Sequence, residues 1–479
     1  MTILDNRKRW LALYVLCLGD LLIVLDISIV NVALPSIRED LGFSEASLAW
    51  VINAYTLTFG GFMLLAGRLG DLVGHRRMFL LGVGLFTLAS LACGLATSSE
   101  ILVGARAIQG IGGAVVAAVA LSLIMTLFTE PAERAKAMGV IGFVAAGGGS
   151  IGVLAGGVLT DLLNWHWIFL VNLPVGAAVI AFCLVLLPAD SGERTRAKLD
   201  IAGAITITAS LMVVVYAIVN GNEQGWTSGR TLGLLGAGAA GVALFLALEA
   251  RVSSPLMPLR LFRLRSVAAS NVVGILWSAA MFAMFFLSAL YLQLVLGYSP
   301  LEVGLAFLPA NLLMGAMSLG LSAKLVMRYG VKPPLVGGMA LVALGLALFA
   351  RAPVDGSFVV DVLPSMLILG VGIGMAMNPL LLAAMNDVAP EEAGLASGVV
   401  NTSFMMGGAL GLAVLASVAA ARTGDNGSLA SLVDGYHAAF LIGTVFAVAA
   451  GAVAAIFLRS SPQQAGDPHA VGEPAVDMS

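Results

Sequence analysis

Charge is scarce in this sequence. Lys, Arg, Asp and Glu make up 11% of its 479 residues, whereas a soluble globular domain carries about a quarter. A chain this poor in ionisable groups has too few of them to cover a water-facing surface of its size. The balance of 24 basic to 27 acidic side chains leaves no basic footprint, which excludes a nucleic-acid partner. Cysteine is scarcer still. Cys17, Cys93 and Cys183 all fall in apolar runs, so neither a disulfide framework nor a thiolate metal site is expected. The four histidines are scattered without ligand spacing, and no metal or other cofactor is implied. No Gly-x-x-x-x-Gly-Lys-Ser/Thr phosphate loop occurs, and no nucleophile constellation, which excludes direct ATP hydrolysis and argues against an enzyme.

What is present is apolar length: 59% of the residues are hydrophobic, and mean hydropathy is +1.00. A membrane-spanning helix needs about 20 apolar residues. Fourteen stretches qualify, at roughly 10–34, 47–66, 78–97, 101–127, 136–160, 167–188, 200–219, 231–249, 267–296, 302–323, 333–350, 359–384, 394–421 and 436–458. The basic triplet Arg7-Lys8-Arg9 before the first run imitates a signal peptide. That run is too long and has no small-residue cleavage site, so it is expected to remain as a span. Basic residues accumulate on the cytoplasmic side of membrane proteins. With both termini inside and fourteen spans, 19 of the 24 basic residues fall in cytoplasmic segments, and only Arg38, Arg230, Arg351 and Arg422 fall outside. Removing one span would invert everything after it and destroy this bias.

The fifth and thirteenth stretches repeat one another. Ala137, Gly139, Val140, Gly148, Gly149 and Gly152 recur 259 residues later as Ala396, Gly398, Val399, Gly407, Gly408 and Gly411. The expected fold is therefore all-α and polytopic, with fourteen transmembrane helices in two related six-helix halves plus an inserted pair. Residues 1–188 form the first half, 189–266 the inserted pair with its flanking loops, 267–460 the second half and 461–479 a disordered cytoplasmic tail. Duplicated halves place a ligand site near the midplane and move by rocking.

Three stretches carry chemistry. Asp26 lies inside the first apolar run, where an ionisable group is costly and marks function unless it only packs against a neighbouring helix. Arg106 lies inside the fourth run and needs a partner; Asp26, or less directly Asp20, can supply it, either as a proton-responsive couple or as a static pair. Asp20 and Asp26 are six residues apart, about 120° around a helix. Asp20 is open to two readings, a second proton or cation site or a polar spot near the inner cavity. Gly67-Arg68-Leu69-Gly70-Asp71-Leu72-Val73-Gly74-His75-Arg76-Arg77 joins the second and third runs, with glycines for a tight turn and Asp71, Arg76 and Arg77 as an ionic latch between conformers. Gly148, Gly152, Gly156 and Gly157 stud the fifth run, as close packing or sliding of helices requires.

Taken together these motifs resemble the major facilitator superfamily, and within it the fourteen-span drug:proton antiporters. The Asp26 stretch is similar to that family's first-span motif, Gly67–Arg77 to motif A, the Arg106 stretch to motif B and the glycines of the fifth run to motif C. Trp165–Gly176 and Pro255–Phe262 are also typical. Val153 stands where motif C usually has proline, His75 where motif A commonly has arginine, and Phe404-Met405 where relatives often carry Arg-Gln. The resemblance implies proton-driven export of amphipathic compounds, with Asp26 and Arg106 in proton coupling.

Two acids against one arginine leave the membrane interior net negative, which favours cationic lipophilic substrates. Aromatics and amides would line the cavity: Asn31, Asn53, Tyr55, Trp277, Phe282, Phe285, Tyr291, Gln293, Asn378 and Asn401, with Trp50 and Asn271 beside them. The expected function is proton-coupled export of drugs or toxic compounds by a monomer in the cytoplasmic membrane of a bacterium, powered by the proton gradient. The alternative is a dedicated exporter of one metabolite, such as an antibiotic or an amino acid.

Overall fold

In lipid a backbone can satisfy its N–H and C=O groups only as a helix or a closed barrel. The computed structural model describes residues 6–128, 130–187, 200–252, 255–385, 387–388, 392–424 and 428–458, and among these there is no strand. The first half is α1 (Asn6–Leu41), α2 (Trp50–Val73), α3 (His75–Gly94), α4 (Ser99–Leu127), α5 (Pro131–Leu162), the short α6 (Trp167–Leu170) and α7 (Asn172–Leu186). The inserted pair is α8 (Ile201–Gln224) and α9 (Gly229–Glu249). The second half is α10 (Arg265–Leu290), α11 (Pro300–Ala316), α12 (Ser322–Tyr329), α13 (Lys332–Phe349), α14 (Leu363–Met385), α15 (Ala393–Thr423) and α16 (Leu429–Phe457). π-helical turns extend α10 through Tyr291–Val295, join α11 to α12 through Met317–Leu321 and open α14 with Phe358–Val362.

Among the described residues, twelve helices are long and apolar enough to cross a membrane. The two other expected spans, 136–160 and 302–323, fall on the 32-residue α5 and on the 17-residue α11 with its continuation. The tail 461–479 lies outside the described residues. Turn chemistry sets the corners. Gly74, at φ 109°, separates α2 from α3 with no residue to spare, while Ser98 and Ser299 cap α4 and α11. Apolar side chains stand exposed in helical rows, such as Leu81, Leu85 and Leu88 on α3 or Leu441, Val445 and Val448 on α16. Such faces suit hydrocarbon rather than water.

The halves are built alike. In the first, α1 packs on α5, and α4 on α2 and α3; in the second, α10 packs on α15, and α14 on α11 and α13. Glycine sets the register. Gly148 and Gly152 of α5 close on Val24 and Ser28 of α1, and the repeated Gly407 and Gly411 of α15 close on Ile275 and Ala279 of α10. Likewise Gly110 and Gly112 of α4 meet Tyr55 and Phe86, as Gly370 and Gly372 of α14 meet Ala310 and Val342. These two registers make Trp277 the positional counterpart of Asp26, Met366 that of Arg106 and Leu369 that of Gln109. The halves touch through α5 against α11 and α2 against α15, and α8 packs on both α2 and α15. The inserted pair thus lies along one of the two seams.

A Cβ on Gly156 would sit 2.7 Å from the Ile29 carbonyl oxygen, whereas at Gly84 it would meet nothing within 4 Å. Gly156→Leu is therefore expected to cost about 1–3 kcal/mol of stability, and Gly84→Leu close to nothing. Thermal unfolding of the purified variants measures both, and equal midpoints would show that the α1–α5 contact yields.

Candidate functional site

Asp26 is fully buried, and α1 carries it into the interior of the first half. Its Oδ2 is ion-paired with Arg106 Nη1 of α4. Oδ1 accepts hydrogen bonds from Gln109 Nε2 at 2.7 Å and from Asn172 Nδ2, at the start of α7, at 3.3 Å. Arg106 also donates from Nε to the Val51 carbonyl of α2 at 2.9 Å and from Nη1 to Gln109 Oε1 at 2.7 Å. Its guanidinium lies over the Tyr55 ring, 4.3 Å from the centroid, with the Phe169 ring at 5.7 Å. Gln109 Nε2 reaches Ser90 Oγ of α3 at 2.8 Å. Arg106 and Gln109 are three residues apart on α4, which puts them on one face, and that face is turned to the carboxylate.

Five helices therefore contribute to one closed polar nest, in which Asp26, Arg106, Gln109, Ser90 and Asn172 are all buried. Every group bonded to the Asp26 oxygens is a donor, so the nest complements the ionised carboxylate. A protonated Asp26 would turn a hydroxyl toward those donors and lose its attraction to Arg106. Proton and guanidinium would compete for the same carboxylate, and a proton would need the nest to open. That is the chemistry the arrangement can perform.

Asp20 is half-buried elsewhere on α1 and makes no ion pair or hydrogen bond with a described residue. It does not join the nest. At the α2–α3 corner, Gly67 faces Ala118 at van der Waals distance, and Gly70 sits against His75 and Val119. Arg76 donates to the Leu184 carbonyl of α7 at 2.6 Å, tying this corner to the end of the half. Arg77 is exposed, and the side chain of Asp71 lies outside the described residues. Gly152 and Gly156 pack on α1 beside Asp26, while Gly157 meets the Pro300 carbonyl across the seam.

The expected cavity residues divide. Several are bonded to the protein itself. Tyr55 is buried under Arg106, Tyr291 donates to the Pro353 carbonyl at 2.6 Å, Gln293 to the Val32 carbonyl at 2.8 Å and Asn378 to the Ser318 carbonyl at 2.8 Å. Asn271 accepts from Ser403 at 2.6 Å, and Asn31 donates to Ile27 at 3.0 Å. Trp50 packs on the α2–α15 seam. Asn53 and the Trp277 Nε1 are buried without a partner among the described residues, and Trp277 stands edge-on to Phe404 at 5.4 Å. Phe282 also abuts Phe404, at 6.2 Å, and Asn401 is half-buried on α15. Phe285 stacks on Phe307 at 5.7 Å and lines a narrow pocket with Met284, Ala310, Asn311, Met314, Met366, Leu369 and Ile373. This pocket occupies, in the second half, the place that the nest occupies in the first. Asn311, buried and with its side chain hydrogen-bonded to no other described side chain or backbone group, is its one amide.

Residues 16–412 match the family model of the Major Facilitator Superfamily. The chain belongs to that superfamily. It is a multi-pass membrane transporter, not an enzyme, and the resemblance read from its motifs is borne out. It is 41% identical to the puromycin resistance protein of Streptomyces alboniger over 450 residues, covering 92% of this chain and 89% of that one. It is 38% identical to the cephamycin export protein CmcT of Amycolatopsis lactamdurans, over 94% of this chain and 93% of the relative. Identity is also 38% to the multidrug resistance protein Stp of Mycobacterium tuberculosis, over 87% and 77%. Among solved structures, the nucleoside transporter NupG superposes with a TM-score of 0.66 at 15% identity, covering 93% of this chain and all of that one, which speaks for the shared fold.

Proposed function

We propose that this transporter exports amphipathic, cationic drugs or toxic compounds in exchange for protons. Its setting is the cytoplasmic membrane of a bacterium, where it crosses fourteen times as a monomer with both termini inside. The observation that carries the reading is the Asp26–Arg106–Gln109 nest. It is a proton acceptor held closed by a basic side chain, in the half that rocks. Relatives whose names speak of multidrug resistance, puromycin resistance and cephamycin export support the export direction.

In the cycle, substrate enters from the cytoplasm and the halves rock outward. An external proton displaces Arg106 from Asp26, and the substrate leaves. Asp20, on another face of α1 and outside the nest, meets the substrate's positive charge, so that cation and proton use separate acids. The narrow apolar pocket around Phe285 and Phe307 widens as the halves rock and receives the lipophilic part, with Asn311 as its hydrogen-bonding group. The proton gradient is the only energy source and no cofactor takes part.

Purified chain in liposomes under an imposed pH gradient tests this. Uphill movement of a lipophilic cation, inhibited by unrelated dyes and antiseptics, is the expected result; no gradient-driven uphill movement overturns the antiport reading. Two of the relatives are named for one antibiotic each, which favours a second reading, a dedicated exporter. In that case a single compound is moved and unrelated ones fail to compete. Asn311→Leu is expected to raise the KM for substrates with a hydrogen-bonding group on their apolar part by roughly five- to tenfold, the value of one buried hydrogen bond. Substrates lacking such a group should be unaffected, and equal effects on both would remove Asn311 from the pocket's recognition.

A further inference from the structure

A second pair of carboxylates is buried outside the nest, in the inserted helices. Asp200 precedes α8 and Glu249 ends α9, with 4% and 3% of their surfaces exposed. Asp200 Oδ1 caps α8 by accepting the Gly203 N–H at 2.7 Å. Glu249 Oε2 accepts the Met257 N–H at 3.0 Å. The other oxygen of each, Asp200 Oδ2 and Glu249 Oε1, is buried with no donor. Both point at the same spot, since a Cβ on Gly203 would lie 2.6 Å from the first and 2.9 Å from the second. Only glycine leaves room for the two acids to face one another there.

Two orphan acceptors turned on a common point lack one hydrogen. Ionised together at this depth, the carboxylates would repel, and each would keep an unsatisfied oxygen. A single proton between them replaces that repulsion with a charge-assisted O–H···O bond and satisfies both oxygens. A metal ion suits the place less well. Calcium takes about six to eight oxygens and magnesium a near-ideal octahedron, and among the described residues no third acid, histidine or cysteine joins the two.

The surroundings give the pair a role. α2 packs on this corner through Leu65, against Ala204 and Leu256. It brings Arg68, whose guanidinium donates to the Pro255 carbonyl. Arg251, just beyond Glu249, is exposed. Glu249 therefore holds the amide of Met257, while Arg68, from the corner joining α2 to α3, holds the carbonyl of Pro255. Residues 255–257 form a strap fastened on one side to the acid pair and on the other to the first half.

We propose that Asp200 and Glu249 share one proton, forming a second proton-holding site that clasps the inserted helix pair to this strap. With the proton in place, Glu249 is anchored and so is the strap. When the proton leaves, the acids separate and the hold on the Arg68 corner loosens. The site is distinct from Asp26 and stands whether or not the chain exports drugs.

Thermal unfolding of the purified full-length chain in detergent, from about pH 5 to about pH 9, tests the proposal together with infrared spectra in the carboxylic C=O region. The comparison is with Glu249→Gln, whose amide can donate permanently to Asp200. Relative to this variant, wild-type protein is expected to lose a few degrees of midpoint as pH rises, because only wild type has the proton to lose. At neutral pH its spectrum should contain a protonated-carboxyl band that Glu249→Gln lacks and Asp26→Asn retains. Parallel midpoint curves with identical bands overturn the proposal. Asp200→Asn, which keeps the cap on α8, supplies the same two readings should Glu249→Gln not purify.

Discussion

Asp26→Asn is expected to reduce pH-gradient-driven export to the level of empty liposomes while the protein still inserts and purifies. Asparagine has nearly the shape of aspartate, so the helices around α1 keep their packing, including Gly152 against Ser28 and Gly156 against Ile29. Its carbonyl can still accept from Arg106. What it cannot do is take up or release a proton, and it turns an amide donor toward Gln109 and Asn172, which are themselves donors to this position. The mismatch costs on the order of 1–3 kcal/mol, too little to unfold the chain. Coupling is lost outright because the competition between proton and guanidinium no longer exists. Transport assays with wild type and variant reconstituted in parallel give the answer, and export by Asp26→Asn at the wild-type rate under the same gradient would sink the coupling role of this acid.

The ion pair was legible in the sequence because charges in apolar runs are so rare that Asp26 and Arg106 had few possible partners. The rest of the nest was not. Gln109, Ser90 and Asn172 are uncharged, and polar residues of this kind occur in many spans, so only the three-dimensional meeting of α3, α4 and α7 with α1 distinguishes them. Their one readable trace is the three-residue spacing from Arg106 to Gln109. The cavity residues show the converse. A lone amide or phenol in an apolar run must be satisfied somewhere, but the sequence does not say whether by ligand or by backbone. Gln293 and Asn378 reach carbonyls of other helices, and Tyr291 reaches one in the loop between α13 and α14. Their polarity ties helices together, as in the contact of Gln293 with α1 across the seam.

The repeat was legible only where glycine carries it. Gly148 and Gly152 recur as Gly407 and Gly411 because close helix approach tolerates nothing larger, and the same constraint acts in both halves. At the chemical positions the halves have diverged. Asp26, Arg106 and Gln109 face Trp277, Met366 and Leu369 as counterparts, so one scaffold holds a polar nest on one side and an apolar pocket on the other. In the proposed cycle, proton chemistry and apolar recognition are thereby kept in separate halves, and rocking of one half against the other couples them.

That divergence suggests how to measure the ion pair. Arg106→Met gives the first half the residue that the second half already has at this position, so the replacement is of a size and shape the scaffold accommodates. Alone it is expected to destabilise the protein by about 3–5 kcal/mol, because it leaves Asp26 buried and charged without its counter-ion. Introduced into Asp26→Asn, the same change should cost far less, since the remaining amide carries no charge to strand. The double variant is therefore expected to be more stable than Arg106→Met alone, with a coupling energy of at least about 2 kcal/mol, and to stay inactive in gradient-driven transport. Recovery of stability without recovery of transport would separate the two roles of the pair, the structural one that any neutral packing can fill and the chemical one that needs a titratable acid facing a base. Unfolding of the two single variants and the double in one detergent supplies the cycle. Effects that add within about 0.5 kcal/mol would mean that Asp26 and Arg106 act independently, and the competition placed at the centre of the transport cycle would have to be abandoned.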